Sequence, residues 1–249
     1  MSGLMTGLRS WRRRTWAFNT ECRREWVARQ AASLPAGSRV LDVGAGIGQY
    51  RVFFSHCDYR AHDFGLEPAT AGQYTNLDYQ SDITAIPVHD GSFDAILCTE
   101  VLEHVPEPIA AVKEMARILR PGGSLLISAP LGSHLHQEPY HFYGGYTPHW
   151  YSRFLPEAGC DVRAIESNAG FFSFFGQEAQ RFSEYLRPRH TRRLGFRRSL
   201  AATSVWIVML PASHLLPLVG RTLDRWDLER IATVGYHVVA VKRGSTPRG

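Results

Sequence analysis

Residues 40–48, Val-Leu-Asp-Val-Gly-Ala-Gly-Ile-Gly, constrain this chain more than any other stretch. Apolar, β-branched residues run into an aspartate, and three alternating glycines follow at once. That is the pattern of a buried strand ending in a tight loop whose backbone must approach a ligand closely. The spacing is Gly44-x-Gly46-x-Gly48 with Asp42 just upstream. It differs from the Gly-x-Gly-x-x-Gly of dinucleotide-binding units, which counts against a nicotinamide-dependent dehydrogenase.

Further pieces follow in order. Tyr59–Asp63 reads as a second strand ending in an acid, where two vicinal ribose hydroxyls could both donate to one carboxylate. Ser81-Asp82-Ile83 precedes a turn, and a strand over 93–98 leads into Thr99-Glu-Val-Leu-Glu-His-Val105. A helix over about 109–119 is stopped by Arg120-Pro-Gly-Gly123, and a strand over 124–129 ends at Pro130. A helix over 148–158, a strand over 161–166 and a last strand over 234–242 complete the pattern.

With these pieces in this order, residues 38–130 resemble the core of the type 11-like class I S-adenosylmethionine-dependent methyltransferases. The resemblance implies an enzyme of the α/β class. Its fold would be a Rossmann-like, seven-stranded, mostly parallel sheet with helices on both faces. Residues 1–37 then form a basic, aromatic helical extension, and 38–249 form the domain, with a helical insert at about 170–230 between strands 6 and 7.

The resemblance also distributes roles. Gly44 and Gly46 lie against the cofactor's methionine portion, Asp42 helps orient it, and Gly48 is a further cofactor-binding residue. Asp63 binds ribose, Asp82 and Ile83 meet the adenine, and Glu100 sits near the methionine end or the substrate mouth. The loop Pro130–Thr147 carries three histidines and three tyrosines beyond a strand's carboxyl end, where α/β sheets bind ligands. His104 and His141, with His136 behind them, are the candidate general bases for a hydroxyl acceptor, since imidazole titrates near neutrality. Each also reads as an ordinary loop or cap hydrogen bond. Glu100-x-x-Glu103-His104 resembles a run in divalent-metal-dependent O-methyltransferases. If a metal is bound, Glu100, Glu103 and His104 are its expected ligands, on one face if a helix begins at Glu100, with His141 or His136 completing the set. A metal is not the favoured reading.

The expected acceptor is a hydroxyl of a small molecule, a sugar or a lipid-linked intermediate. An RNA 2′-hydroxyl, or a non-catalytic cofactor-binding scaffold docked through the insert, are the alternatives. Nucleic acid is not favoured as a partner.

Charge and cysteine usage add limits. The net charge of +5 is concentrated in two blocks, Arg9, Arg12, Arg13, Arg14, Arg23 and Arg24 with Trp11, Trp16 and Trp26, and then Arg187–Arg198. Solvated helix faces are the plain explanation; a phosphate-rich or anionic membrane surface is the sharper one. Cys22, Cys57, Cys98 and Cys160 have neither disulfide-framework nor zinc spacing. No apolar run opens the chain, so no signal peptide is expected, and a cytoplasmic location, peripheral to the inner face of a membrane, follows as the expectation.

Ser199–Gly220 is 22 residues long without an acidic or basic charge. That length would span a bilayer, yet a single crossing would put the last strand on the wrong side from its own sheet. The segment is therefore expected to pack on the domain, dip into a leaflet or dock a partner. Residues 221–230, with alternating charges, read as an exposed helix leading back to the sheet.

Overall fold

The computed structural model describes residues 17–65 and 77–244. The basic and tryptophan-rich residues of 1–16, including Arg9 to Arg14, Trp11 and Trp16, lie outside the described residues. The chain divides into two compact units, 23–166 with 235–249 and 1–22 with 167–234.

The first unit is built on strands β1 (Arg39–Val43), β2 (Asp58–Asp63), β3 (Tyr79–Gln80), β4 (Phe93–Thr99), β5 (Leu119–Pro130), β6 (Cys160–Ser167) and β7 (Gly235–Lys242). Their order is β3-β2-β1-β4-β5-β7-β6. Pairs from β3 through β5 are parallel, and β7 runs antiparallel to β5, from Ser124 against Val241 to Pro130 against Gly235. This is the expected seven-stranded, mostly parallel sheet.

Alternation along the strands sorts the core into two layers. Leu41 and Val43 of β1, Ile96 and Cys98 of β4, and Leu125 and Ile127 of β5 face α2 (Pro108–Ile118) and α3 (Pro148–Glu157). Val40, Ala95, Leu97 and Leu126 face the other way, against Trp26, Val27 and Ala31 of α1 (Phe18–Ser33). Residues from Arg23 onward are therefore part of the domain's core, and the expected boundary at residue 37 moves. α2 starts at Pro108, whose missing N–H costs nothing in a first turn. Thr147 caps α3 by accepting from the Trp150 N–H at 3.3 Å. The stop at 120–123 falls inside β5, which begins at Leu119 and pairs with Phe93 before the register shifts at Ala95.

The second unit contains α4 (Phe171–Leu186), the short α5 (Pro188–Thr191) and α6 (Phe196–Leu223). The exposed helix expected over 221–230 does not exist as such. α6 ends at Leu223, a 3₁₀ turn follows, and Asp224 is buried. Its carboxylate accepts from the Gly170 and Ser173 N–H groups at 3.0 and 3.1 Å, and so caps α4 from a distance in sequence. None of the four cysteines forms a disulfide among the described residues.

Candidate active site

A cavity of about 340 Å³ opens at the carboxyl ends of β1, β2 and β4. Strand order reverses between β1 and β4, and ligands of open α/β sheets bind at such a point.

The glycine loop forms the first wall. Gly44 and Gly46 line the cavity with φ of 72° and 54°, left-handed values that side chains disfavour. A Cβ on Gly44 would lie 2.3 Å from Val101, whereas one on Gly46 would meet no protein atom. The backbone at Gly46 is thus bare toward the cavity. Gly48 shares the left-handed conformation but is not among the lining residues.

Asp63 holds that loop to the tip of β2. Its carboxylate accepts from the Gly46 and Gly65 N–H groups, both at 2.9 Å, one on each oxygen. Each oxygen keeps further lone-pair capacity for ligand hydroxyls. Asp82 accepts from the Thr84 N–H and hydroxyl at 2.8 and 2.7 Å, which holds its pKa below the usual carboxylate value. Asp82 and Ile83 both line the cavity.

Asp42 behaves differently from its expected role. It is fully buried, accepts from the Tyr59 hydroxyl at 2.5 Å and does not line the cavity. Burial pushes its pKa up to about 7, against the lowering effect of that hydrogen bond. It braces β1 against β2 from beneath the loop.

Glu100 takes a left-handed φ of 54° directly after β4. Ser128 donates to its Oε1 at 2.8 Å, and Arg23 forms an ion pair with its Oε2 at 2.8 Å. Arg23 also donates to the Tyr50 hydroxyl at 3.0 Å. It is therefore not part of a solvated basic patch; Glu100's charge and the Tyr50 contact outweigh the burial that would lower its pKa. Trp26 leaves that patch as well, buried and stacked on His237 with ring centroids 4.9 Å apart.

Glu100 and Glu103 do not share a helical face. Leu102–His104 is a 3₁₀ turn, and Glu100 lies before it. Glu103 points inward and is fully buried. Burial first, and the nearby Glu100 charge second, raise its pKa well above the carboxylate range. Its Oε2 is buried with no hydrogen-bond partner. The turn is tied to the histidine loop, because the Glu103 carbonyl accepts from the Phe142 and Tyr143 N–H groups at 2.9 and 3.2 Å. Tyr146 adds a bond to the Leu102 carbonyl at 2.7 Å.

That tie gathers three imidazoles. Ring centroids of His104 and His136 lie 4.7 Å apart, His136 and His141 4.6 Å, and His104 and His141 5.7 Å. His104 Nδ1 lies 2.6 Å from the Tyr140 carbonyl, His136 Nδ1 2.8 Å from the His134 carbonyl, and His141 Nε2 3.0 Å from the Tyr143 carbonyl. A carbonyl only accepts, so each contact assigns the ring's proton to that nitrogen and an acceptor lone pair to the other. Ligand atoms of Glu103, His104 and His136 all lie within 4.8 Å of one another. The set that converges is thus Glu103, His104 and His136. Glu100 is engaged by Arg23 and Ser128, and His141 stands beside the group with its Nδ1 buried and unpartnered. Of the three histidines, His104 lines the cavity.

Two contributors were not anticipated. His62 lines the cavity, bonded through Nε2 to Ser81 Oγ at 3.0 Å, and burial lowers its pKa. Arg23 had a legible signal, since Arg23, Trp26, Val27 and Ala31 fall at i, i+3, i+4 and i+8 on one helix face.

Comparison with known proteins fits this geometry. Residues 8–193 match the family model described as a methyltransferase domain. The ubiquinone biosynthesis O-methyltransferase of Xanthomonas axonopodis pv. citri (strain 306) is 38% identical over 104 residues, covering 38% of this chain and 44% of that protein. An uncharacterized methyltransferase of Mycobacteroides abscessus is 32% identical over 145 residues, covering 51% of this chain and 55% of the relative. The chain thus spans about half the length, or less, of these curated relatives. A Galdieria sulphuraria protein assigned as a sarcosine dimethylglycine methyltransferase superposes with a TM-score of 0.54 at 17% identity, over 88% of this chain and 84% of that one.

Proposed function

The chain belongs to the S-adenosylmethionine-dependent class I methyltransferase family, and from that premise we propose that it methylates a hydroxyl of a small molecule, a sugar or a lipid-linked intermediate. The observation that carries the acceptor chemistry is the group of Glu103, His104 and His136 beside the cavity. A neutral amine attacks through its lone pair and sheds its proton only after transfer, whereas a hydroxyl must lose its proton as it reacts, so a base beside the cavity favours the hydroxyl over the amine. The O-methyltransferase relatives support the same choice.

The cavity fits the cofactor, whose sulfonium supplies an activated methyl group. In this reading the bare backbone at Gly46 meets its methionine portion, Asp63 accepts from the ribose hydroxyls, and Asp82 and Ile83, which line the cavity, meet the adenine. Glu100, fixed by Arg23 and Ser128, is the carboxylate for the amino group. His104, oriented by the Tyr140 carbonyl, is the lining imidazole that can accept the acceptor's proton.

Glu103, His104 and His136 also fit a divalent cation, a second reading in which the one lone pair of His104 is a ligand rather than the base. Glu103 carries a buried oxygen without a partner, and the histidines are oriented by backbone carbonyls in the way metal-bound imidazoles usually are. Mixed imidazole and carboxylate ligation suits zinc or manganese, which would lower the pKa of a nearby hydroxyl.

The test is methyl transfer from labelled S-adenosylmethionine to pooled phenols, glycans and lipid extracts, with and without chelator. Label should appear in a base-stable ether, and His104→Gln should abolish it while S-adenosylhomocysteine still binds. Label recovered in an amine, or undiminished transfer by the variant, refutes the hydroxyl reading. Equal rates with and without chelator refute the metal.

A further inference from the structure

In the second unit α4 and α6 meet through small side chains and leave many of their large apolar ones exposed. α4 buries Ser173, Gly176, Ala179 and Ser183, and α6 buries Ser213, Pro217 and Gly220. These make a close seam, where a Cβ on Gly176 would come within 3.0 Å of the Pro217 backbone and one on Gly220 within 2.8 Å of the Phe172 carbonyl. Facing away are Phe171, Phe175 and Phe182 of α4, and Leu200, Val205, Ile207, Val208, Leu215 and Val219 of α6. Val208 is 75% exposed and Phe196 is 83% exposed. In water this arrangement leaves exposed the surface that should be buried. In lipid it is the expected one, because small residues let helices approach and large apolar ones meet acyl chains.

Two further observations identify the partner. Thr203, Ser204, Ser213 and His214 sit within the apolar stretch, and each is bonded to a carbonyl of its own helix. That satisfies polar side chains where no water is at hand. Second, Arg192, Arg193, Arg197 and Arg198 are exposed where α6 begins and make no ion pair among the described residues. Cations at a helix N-terminus oppose its dipole, so helix stability does not account for them, while anionic headgroups would.

We infer that the α4–α6 unit docks on an anionic membrane, with the outward face of α6 in one leaflet and the four arginines at the headgroups. α6 is long and apolar enough to cross a bilayer. A single crossing is excluded because β6 before the unit and β7 after it belong to one sheet.

Density-gradient flotation of the full chain decides this, using vesicles of phosphatidylcholine alone and with phosphatidylglycerol. The chain should rise with the anionic vesicles and not with the neutral ones. Glutamine at Arg192, Arg193, Arg197 and Arg198 together should weaken partitioning by on the order of 1,000-fold. Leu200→Gln, Val208→Gln and Leu215→Gln together should abolish it with the circular dichroism unchanged. If that triple variant misfolds, the arginine variant still decides, since its side chains are exposed. Failure to float with either vesicle, equal flotation with both, or flotation unaffected by the arginine changes overturns the inference. So does a Val208→Cys crosslink between two copies in a chain that does not float, which would make the face a self-interface.

Discussion

In the sheet unit the side chains hidden from solvent are large. Leu41, Ile96, Leu97, Met115 and Ile127 are wholly buried, and strand alternation sorts them into two layers. Where α4 meets α6 the hidden positions belong to serines, glycines, an alanine and a proline, while Phe171, Phe175, Val205 and Val208 on the same helices are exposed. Both units are regular and well hydrogen-bonded, so secondary structure does not separate them. What differs is the size of the side chains through which each is packed. Hydrophobic burial from water holds the first together, whereas close backbone approach joins the helices of the second.

The largest effect should come from cutting into the sheet core. Leu97→Ala should cost about 2–5 kcal/mol, read as a lower urea midpoint. A loss within 0.5 kcal/mol, the usual range for a surface change, would erase the contrast. Next, Asp63→Ala should weaken S-adenosylhomocysteine binding by about 1.5–3 kcal/mol in a calorimetric titration. It should leave vesicle flotation as it was, which separates the jobs of the two units; unchanged affinity would remove Asp63 from the site.

Gly176→Leu probes the other kind of packing. Forcing a side chain into the seam should cost about 1–3 kcal/mol in thermal unfolding; a neutral result would mean the helices part easily.

Asp42 adds a pH dependence peculiar to the sheet unit. Its pKa is raised to about 7 in the fold from an ordinary 3.8, so between those values the folded chain retains a proton that the unfolded chain releases. The associated stability is fully present below the unfolded value and is lost as pH rises through about 7. Asp42→Asn should remove that slope, which for one proton is at most about 1.4 kcal/mol per pH unit. Parallel stability curves for the variant and the parent would show that Asp42 is charged throughout. The smallest effect belongs to Val208→Ala, within about 0.5 kcal/mol in vesicle-free buffer.

Much of the sheet unit was legible because its signals are local. The glycine loop, the acid closing β2 and the proline-glycine run at 120–123 are each recognisable from a few consecutive residues. Asp63, Asp82, Glu100 and His104 all reach the cavity, as their places at strand ends implied. Asp42 lies beneath the loop rather than in the cavity, because a residue on a strand can face under a loop as readily as into it. Tyr59, which decided the matter, belongs to the next strand. The charge alternation over 221–230 suggested a solvated helix, and long-range capping of α4 by Asp224 overrode it.

By itself the sequence determined the class of fold, the strand-end positions of the cavity's polar residues and the existence of an uncharged insert, because periodicity and turn chemistry are short-range. Only the tertiary structure decided that Arg23 fixes Glu100, that His136 joins Glu103 and His104, and that the helices of the insert meet through their small residues. Those outcomes depend on contacts between segments tens of residues apart, and on which side of an element faces a neighbour, which no local pattern encodes.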